Sequence, residues 1–222
     1  MESTGIDSLT GLLDRHGCLR TAKRLTANAK RSRRPLIALW LNIDRFRLIN
    51  GSLGMVGGDS VIAKLAGRMQ ERLQHRAHLA RMGSDDFLLL ASGYAAGEAT
   101  LMAAEVMALI KQPLKIGAVT LHPTCSIGMA SLEYAEETGA FLHRAELAMF
   151  EAKQQGGDQM VIFGEEQLPG WLGVKLAREE LEIEHKLHAA LDSGGLYLQF
   201  QPVLRLDGSV ESVEALMRCE IN

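Results

Sequence analysis

Two short acidic sites carry the first chemical signal in this 222-residue sequence. The apolar run LIALWLNID (36–44) ends in Asn42 and Asp44, and HLARMGSDDFLLLAS (78–92) carries Asp85 and Asp86 beside Gly83 and Ser84. Hard divalent cations such as Mg²⁺ take oxygen ligands and are shared between one or two carboxylates and substrate phosphates. Acids gathered at neighbouring strand ends would therefore suit phosphoryl transfer. Taken alone the pair reads first as a solvated turn, because Asp and Asn are common turn formers.

The elements that must position these residues follow from periodicity. Residues 14–34 place Leu19, Ala22, Leu25 and Ala29 at helical spacing, and Pro35 stops the run. The segment 36–44 predicts a buried strand, with Asn42 and Asp44 on one side of it. NGSLGMVGGDS (50–60) reads as a glycine-rich loop in which Asp59 or Ser60 caps a helix through Val61, Leu65, Met69 and Leu73. Segment 78–92 predicts a hairpin tipped by Asp85 and Asp86, 94–111 a helix, 113–131 one or two strands, 139–155 a helix, and 159–163 a strand. The expected fold class is α+β, a β-α-β-β-α-β sandwich with a mainly antiparallel central sheet flanked by helices.

Beyond residue 163, GEEQLPGWLG has connector composition, 174–191 reads as a charged amphipathic helix, and 196–218 as a hairpin turning at Asp207-Gly208. We expect a domain over 1–163, a linker over 164–177 and a fragment over 178–222 that is too short to bury a core of its own.

Composition narrows the function classes. Lys+Arg 24 against Asp+Glu 27 gives a net charge of −3, which supplies no basic field for nucleic acid. Cys18, Cys125 and Cys219 form neither a disulfide framework nor a metal knuckle. No apolar run reaches the ~18–20 residues of a membrane span, and no signal peptide opens the chain, so a cytoplasmic setting without membrane contact is expected, alone or as the cytosolic part of a larger sensor. His75/His78 and His185/His188 have one-turn spacing without further ligands nearby and read as surface polar residues. The basic run 30–34 reads as a solvated helix end.

Six ordered motifs then point to one family: DSLTGLLDR (7–15), NIDRFRLIN (42–50), GMVGGD (54–59), GSDDF (83–87), SIGMA (126–130) and AMFEAKQQG (148–156). Together they resemble the GGDEF family, the bacterial diguanylate cyclases that condense two GTP into cyclic di-GMP, and the likeness implies a palm-like sandwich. By this resemblance Asn50 and Asp59 would read guanine, and Arg47 and Lys153 would face phosphate. Gly83 and Ser84 would lie close to the triphosphate. Asp85 would bind metal with the Ile43 carbonyl, Asp86 is the acid at the fourth position of the signature, and the two would be the catalytic acids. The family's first metal carboxylate falls on Asn42, a second cation falls on Gly157, and Ser84 replaces a glycine where a Cβ would obstruct or strain the turn. The product-inhibition motif falls on Gln74 and Ala77, so no such site is expected.

With one carboxylate and one cation missing, the resemblance implies a degenerate domain that binds GTP, holds Mg²⁺ weakly or not at all, and cyclises poorly. It would act as a regulatory module in cyclic di-GMP signalling. An active Mg²⁺-dependent cyclase and a homodimeric or partner-binding scaffold stay open. LQFQP (198–202) and VEALMR (213–218) resemble the opening of an EAL domain, the cyclic di-GMP phosphodiesterase, with Gln201 and Arg218 at ligand-contacting positions and Glu214 at a metal position. Cyclic di-GMP would be met through a full EAL domain. The fragment alone lacks the converging ligands of such a site, so the chain is expected to be cut within that second domain and to hydrolyse nothing itself.

Overall fold

The computed structural model describes residues 5–164, 196–204 and 210–219. The chain divides into two units, Met1–Gln167 and Leu168–Asn222. The first contains α1 (Arg15–Ser32), β1 (Leu36–Ile43), α2 (Phe46–Leu73), β2 (His78–Arg81), β3 (Asp86–Ser92), α3 (Ala96–Lys111), β4 (Leu114–Ile116), β5 (Val119–Leu121), β6 (Cys125–Ser131), α4 (Thr138–Gln154) and β7 (Met160–Ile162). Its main sheet runs β2-β3-β1-β6-β7, with β4-β5 a separate hairpin. Only the β6–β7 pair of the main sheet is parallel. This is the α+β sandwich expected.

β1 is buried at every position because it is the central strand and both of its faces are covered. Alternation sends Ile37, Leu39, Leu41 and Ile43 into a core shared with α2 and α3, and Leu36, Ala38 and Trp40 into one shared with α1 and α4. Each buried Leu or Ile among them stabilises the fold by about 1.5–3 kcal/mol. A one-residue slip would exchange the two faces, so the register is firmly set. Asn42 is the next residue on the α1/α4 face.

α1 begins where the Asp14 carboxylate accepts the Gly17 N–H at 2.7 Å, and it ends at Arg33 in the left-handed region. The glycine-rich stretch corrects the expectation of a loop: residues 50–60 are helical within α2, broken at Gly54 (φ 70°, ψ 172°). Asp59 therefore lies inside the helix and not at its cap. Glycine weakens a helix but does not forbid one, and the apolar face of Val61, Ile62, Leu65 and Met69 holds the second half down. α4 lies directly on β6, where a Cβ at Gly128 would come within 2.0 Å of Ala145 O. That close approach fixes the helix carrying Lys153.

The second unit pairs β8 (Leu196–Leu204) with β9 (Val210–Cys219) antiparallel, placing Gln201 opposite Glu214 and Tyr197 opposite Arg218. The helix expected over 174–191, the linker beyond Gly164 and the Asp207-Gly208 turn lie outside the described residues.

Candidate functional site

β1 and β3 bring Asn42 opposite Asp86. The Asn42 side-chain amide donates to Asp85 Oδ2 at 3.0 Å and to Asp86 Oδ1 at 2.9 Å. Asn42 is 5% exposed, and its Oδ1 has no hydrogen-bond partner among the described residues. One neutral amide thus bridges two acids by donating both of its protons.

Burial pushes the Asp86 carboxyl above its ordinary value, and the neighbouring Asp85 charge pushes the same way. The Asn42 hydrogen bond, then the indole N–H of Trp40 and the Lys153 charge, pull it back part of the way. The Trp40 influence falls short of a formed bond, because Trp40 Nε1 completes none among the described residues.

The signature turn is held from behind. Ser84 Oγ donates to Asp85 Oδ1. Arg81 donates to the Gly83 carbonyl at 3.0 Å and the Ser84 carbonyl at 2.9 Å, and it pairs with Asp7 at 3.3 Å. Asp7 in turn accepts from the Thr10 backbone at 2.9 Å and the Thr10 hydroxyl at 2.7 Å. Burial opposes ionisation of Asp7, but the Thr10 hydrogen bonds and Arg81 outweigh it and hold the carboxyl below its usual value. Motif DSLTG thereby anchors motif GSDDF. Arg81 was not singled out from sequence, and only its place three residues before Ser84 hinted at the role. Ser84 does not adopt a positive φ, so the strain expected at that position is not found.

Asp44 corrects another expectation. It stands apart from the Asp85/Asp86 cluster and accepts from Thr124 Oγ1 at 2.7 Å, Ser126 Oγ at 2.6 Å and the Asp158 backbone N–H at 2.9 Å. It thus ties β1 to the loop after α4 and lines a cleft of about 440 Å³ with Arg45, His122 and Thr124. Gly157 has φ 75°, and a Cβ there would lie 3.1 Å from Asp44 Oδ1.

The remaining expected residues surround α2 and the end of α4. Asn50 Oδ1 lies against Gly58, where a Cβ would come within 1.8 Å, so the amide from the first half of broken α2 packs on the backbone of the second. Arg47, Asp59 and Lys153 are exposed, and Gly83 and Ser84 lie on the exposed turn. Ile43 is buried at the end of β1, its N–H donating to the Asp85 carbonyl at 3.2 Å.

As arranged, these side chains do not fit a bound Mg²⁺. A cation between Asp85 and Asp86 would meet the two Asn42 N–H groups. Among the described residues no group of three or more His, Cys, Asp or Glu is placed to hold a metal ion. No described helix is long and apolar enough to cross a membrane.

The mainly antiparallel sheet flanked by helices, with an acidic turn beside its central strand, defines a palm-like α+β domain. The family model "Diguanylate cyclase, GGDEF domain" matches residues 4–159, and the chain belongs to that family, whose domains generally use Mg²⁺ and bind GTP. It is 29% identical over 213 residues to the cyclic di-GMP phosphodiesterase PdeR of Escherichia coli, covering 96% of this chain and 31% of the relative. It is 31% identical over 214 residues to the cyclic di-GMP phosphodiesterase NbdA of Pseudomonas aeruginosa, covering 96% and 27%. The chain thus spans under a third of the length of these two relatives. The solved GGDEF domain of TpbB from Pseudomonas aeruginosa superposes with a TM-score of 0.67 at 31% identity, covering 71% of this chain and 94% of that one. The DgcB GGDEF domain of Caulobacter crescentus, solved with c-di-GMP, shares the fold with a TM-score of 0.70 at 22% identity, covering 74% and 96%. The chain is thereby related to proteins of cyclic di-GMP signalling.

Proposed function

We propose that residues 1–163 form a degenerate GGDEF domain that binds GTP and regulates an attached phosphodiesterase domain, with 164–177 a linker and 178–222 the opening of that EAL domain. One observation carries the reading: the Asn42 amide occupies, with its own protons, the space between Asp85 and Asp86. The amide so placed satisfies one oxygen of each acid and points its N–H groups where a cation would have to sit. Phosphoryl transfer relies on positioning and charge neutralisation, so this loss costs about 10²-fold or more in rate.

GTP recognition rests on Asn50 and Asp59 for the base and on Lys153 and Arg47 for the phosphates, with Gly83 and Ser84 at the turn beside them. Alignment with two phosphodiesterases over 96% of the chain supports the EAL assignment of Gln201, Glu214 and Arg218, and Gln201 and Glu214 are register partners in the β8–β9 ladder. Cyclic di-GMP would be bound by the full EAL domain.

The test combines calorimetry with GTP, with and without Mg²⁺, and a cyclic di-GMP synthesis assay. GTP binding with negligible synthesis is expected, together with a sharp rise in synthesis for Asn42→Asp. Turnover by the wild type as fast as by Asn42→Asp would establish the active-cyclase reading instead. That reading is favoured by the two retained carboxylates, Asp85 and Asp86. Absence of GTP binding would leave a scaffold.

A further inference from the structure

α1 has an unusual charge distribution, with eight Lys or Arg and no Asp or Glu from Arg15 to Arg34 in a chain whose net charge is −3. No ion pair joins any of these eight to an acid among the described residues. Lys23, Thr26, Ala27 and Lys30 recur at one-turn and two-turn spacing and so share a face of the helix. That face lines a cavity of about 350 Å³, whose other wall is Glu137, Thr138 and Gly139 at the start of α4.

Three features of the cavity suit an anion. α4 is 17 residues long, its N-cap residue Glu137 makes no side-chain cap hydrogen bond and its first turn holds no acid, so its opening N–H groups have no side-chain acceptor among the described residues. Thr26 is 4% exposed and lines the cavity, yet its hydroxyl has no hydrogen-bond partner among the described residues. Such a buried group normally finds one. Lys23 is exposed and pairs with no acid among the described residues, while Lys30 donates to the Glu136 carbonyl at 2.5 Å and so stands at the entrance to α4. Glu137 is the one lining carboxylate, and it is exposed to water.

We propose that the cavity between α1 and the N-terminus of α4 binds a phosphate group, held by Lys23, Thr26, Lys30 and the first-turn N–H groups of α4. Lys153 stands near the other end of α4, about 22 Å from Thr138 at 1.5 Å per residue, so this is a second site, independent of the GTP reading. The volume admits a phosphate monoester as well as a free phosphate ion.

The test is calorimetric titration of the full chain, without Mg²⁺, with inorganic phosphate and separately with glycerol 3-phosphate. Saturable binding is expected. It should weaken about tenfold or more in Lys23→Gln and with rising salt, and persist in Lys153→Ala. Thr26→Ser should retain it, Thr26→Val should weaken it, and Glu137→Gln should tighten it. Lys23→Gln alters an exposed side chain and so keeps the test valid if another variant folds poorly. Binding of both probes identifies a phosphate-monoester site, and binding of phosphate alone a site for the free ion. No saturable binding, binding untouched by Lys23→Gln, or binding abolished by Lys153→Ala alone would overturn the proposal.

Discussion

Asn42 and Asp86 face each other across β1 and β3, and the amide donates to the carboxylate at 2.9 Å while its second proton goes to Asp85. Asn42→Asp would place three carboxylates together with no donor between them. Loss of these bonds to charged groups, with added repulsion, should cost about 1–3 kcal/mol without metal. Thermal unfolding should then start several degrees lower than in the wild type. Millimolar Mg²⁺ should raise the Asn42→Asp midpoint well beyond its effect on the wild type, since the cation now has three acids to satisfy. Equal Mg²⁺ shifts in the two proteins would refute the bridging role.

Asp86 also makes a pH prediction. Its native carboxyl holds a proton to higher pH than the unfolded chain, whose reference value is 3.8, with burial as the leading cause. Between those two values the native state binds more protons, so stability falls as pH rises and levels off above the native value. Asp86→Asn removes this decline. Urea unfolding of the two proteins from pH 3.5 upward, a starting point just below that reference, should show the wild type losing ground to the variant as pH increases. A parallel pH dependence would contradict the assignment.

Much of this was legible in the sequence, for reasons that differ by residue. The continuous apolar run of 36–43, closed by polar residues, identified β1 as a buried strand, and the Gly83-Ser84 punctuation located the hairpin, because both signals are local. The helical state of 50–60 was not legible, since its glycines argue for a loop and only packing of Val61, Ile62 and Leu65 overrides them. Nor was the destination of Asp44. Its partners Thr124, Ser126 and Asp158 are 80 to 114 residues away, and no spacing rule reaches that far. Substitution at position 42 was visible, whereas the amide's two-sided bridge required the β1–β3 register.

Arg81 couples the N-terminal motif to the signature turn through Asp7 behind it and the Gly83 and Ser84 carbonyls ahead. Its side chain is only 16% exposed, so Arg81→Ala removes partly buried charged hydrogen bonds and should cost about 1–3 kcal/mol. Amide exchange at residues 83–86 should accelerate more than in α3, which Arg81 does not support. Arg81→Lys should recover only part of the loss, because an ammonium cannot reproduce the forked geometry. Uniform acceleration across the domain would show that Arg81 acts on global stability alone.

Restoring a cation at position 157 should fail, although charge counting recommends it. Gly157 adopts φ 75°, and its Cβ would press to 3.1 Å from Asp44 Oδ1, the acid that also accepts the Asp158 N–H. The left-handed backbone alone costs a non-glycine residue about 1–2 kcal/mol. Displacing the Asp44 carboxylate would further loosen its bonds to Thr124 and Ser126. Gly157→Arg should therefore lower the unfolding temperature by several degrees and leave GTP affinity unimproved by calorimetry. Asp44→Ala/Gly157→Arg should unfold no later than Asp44→Ala, because the backbone cost remains after the contact is removed. Tighter GTP binding by Gly157→Arg at unchanged stability would show that this loop readily accepts a side chain.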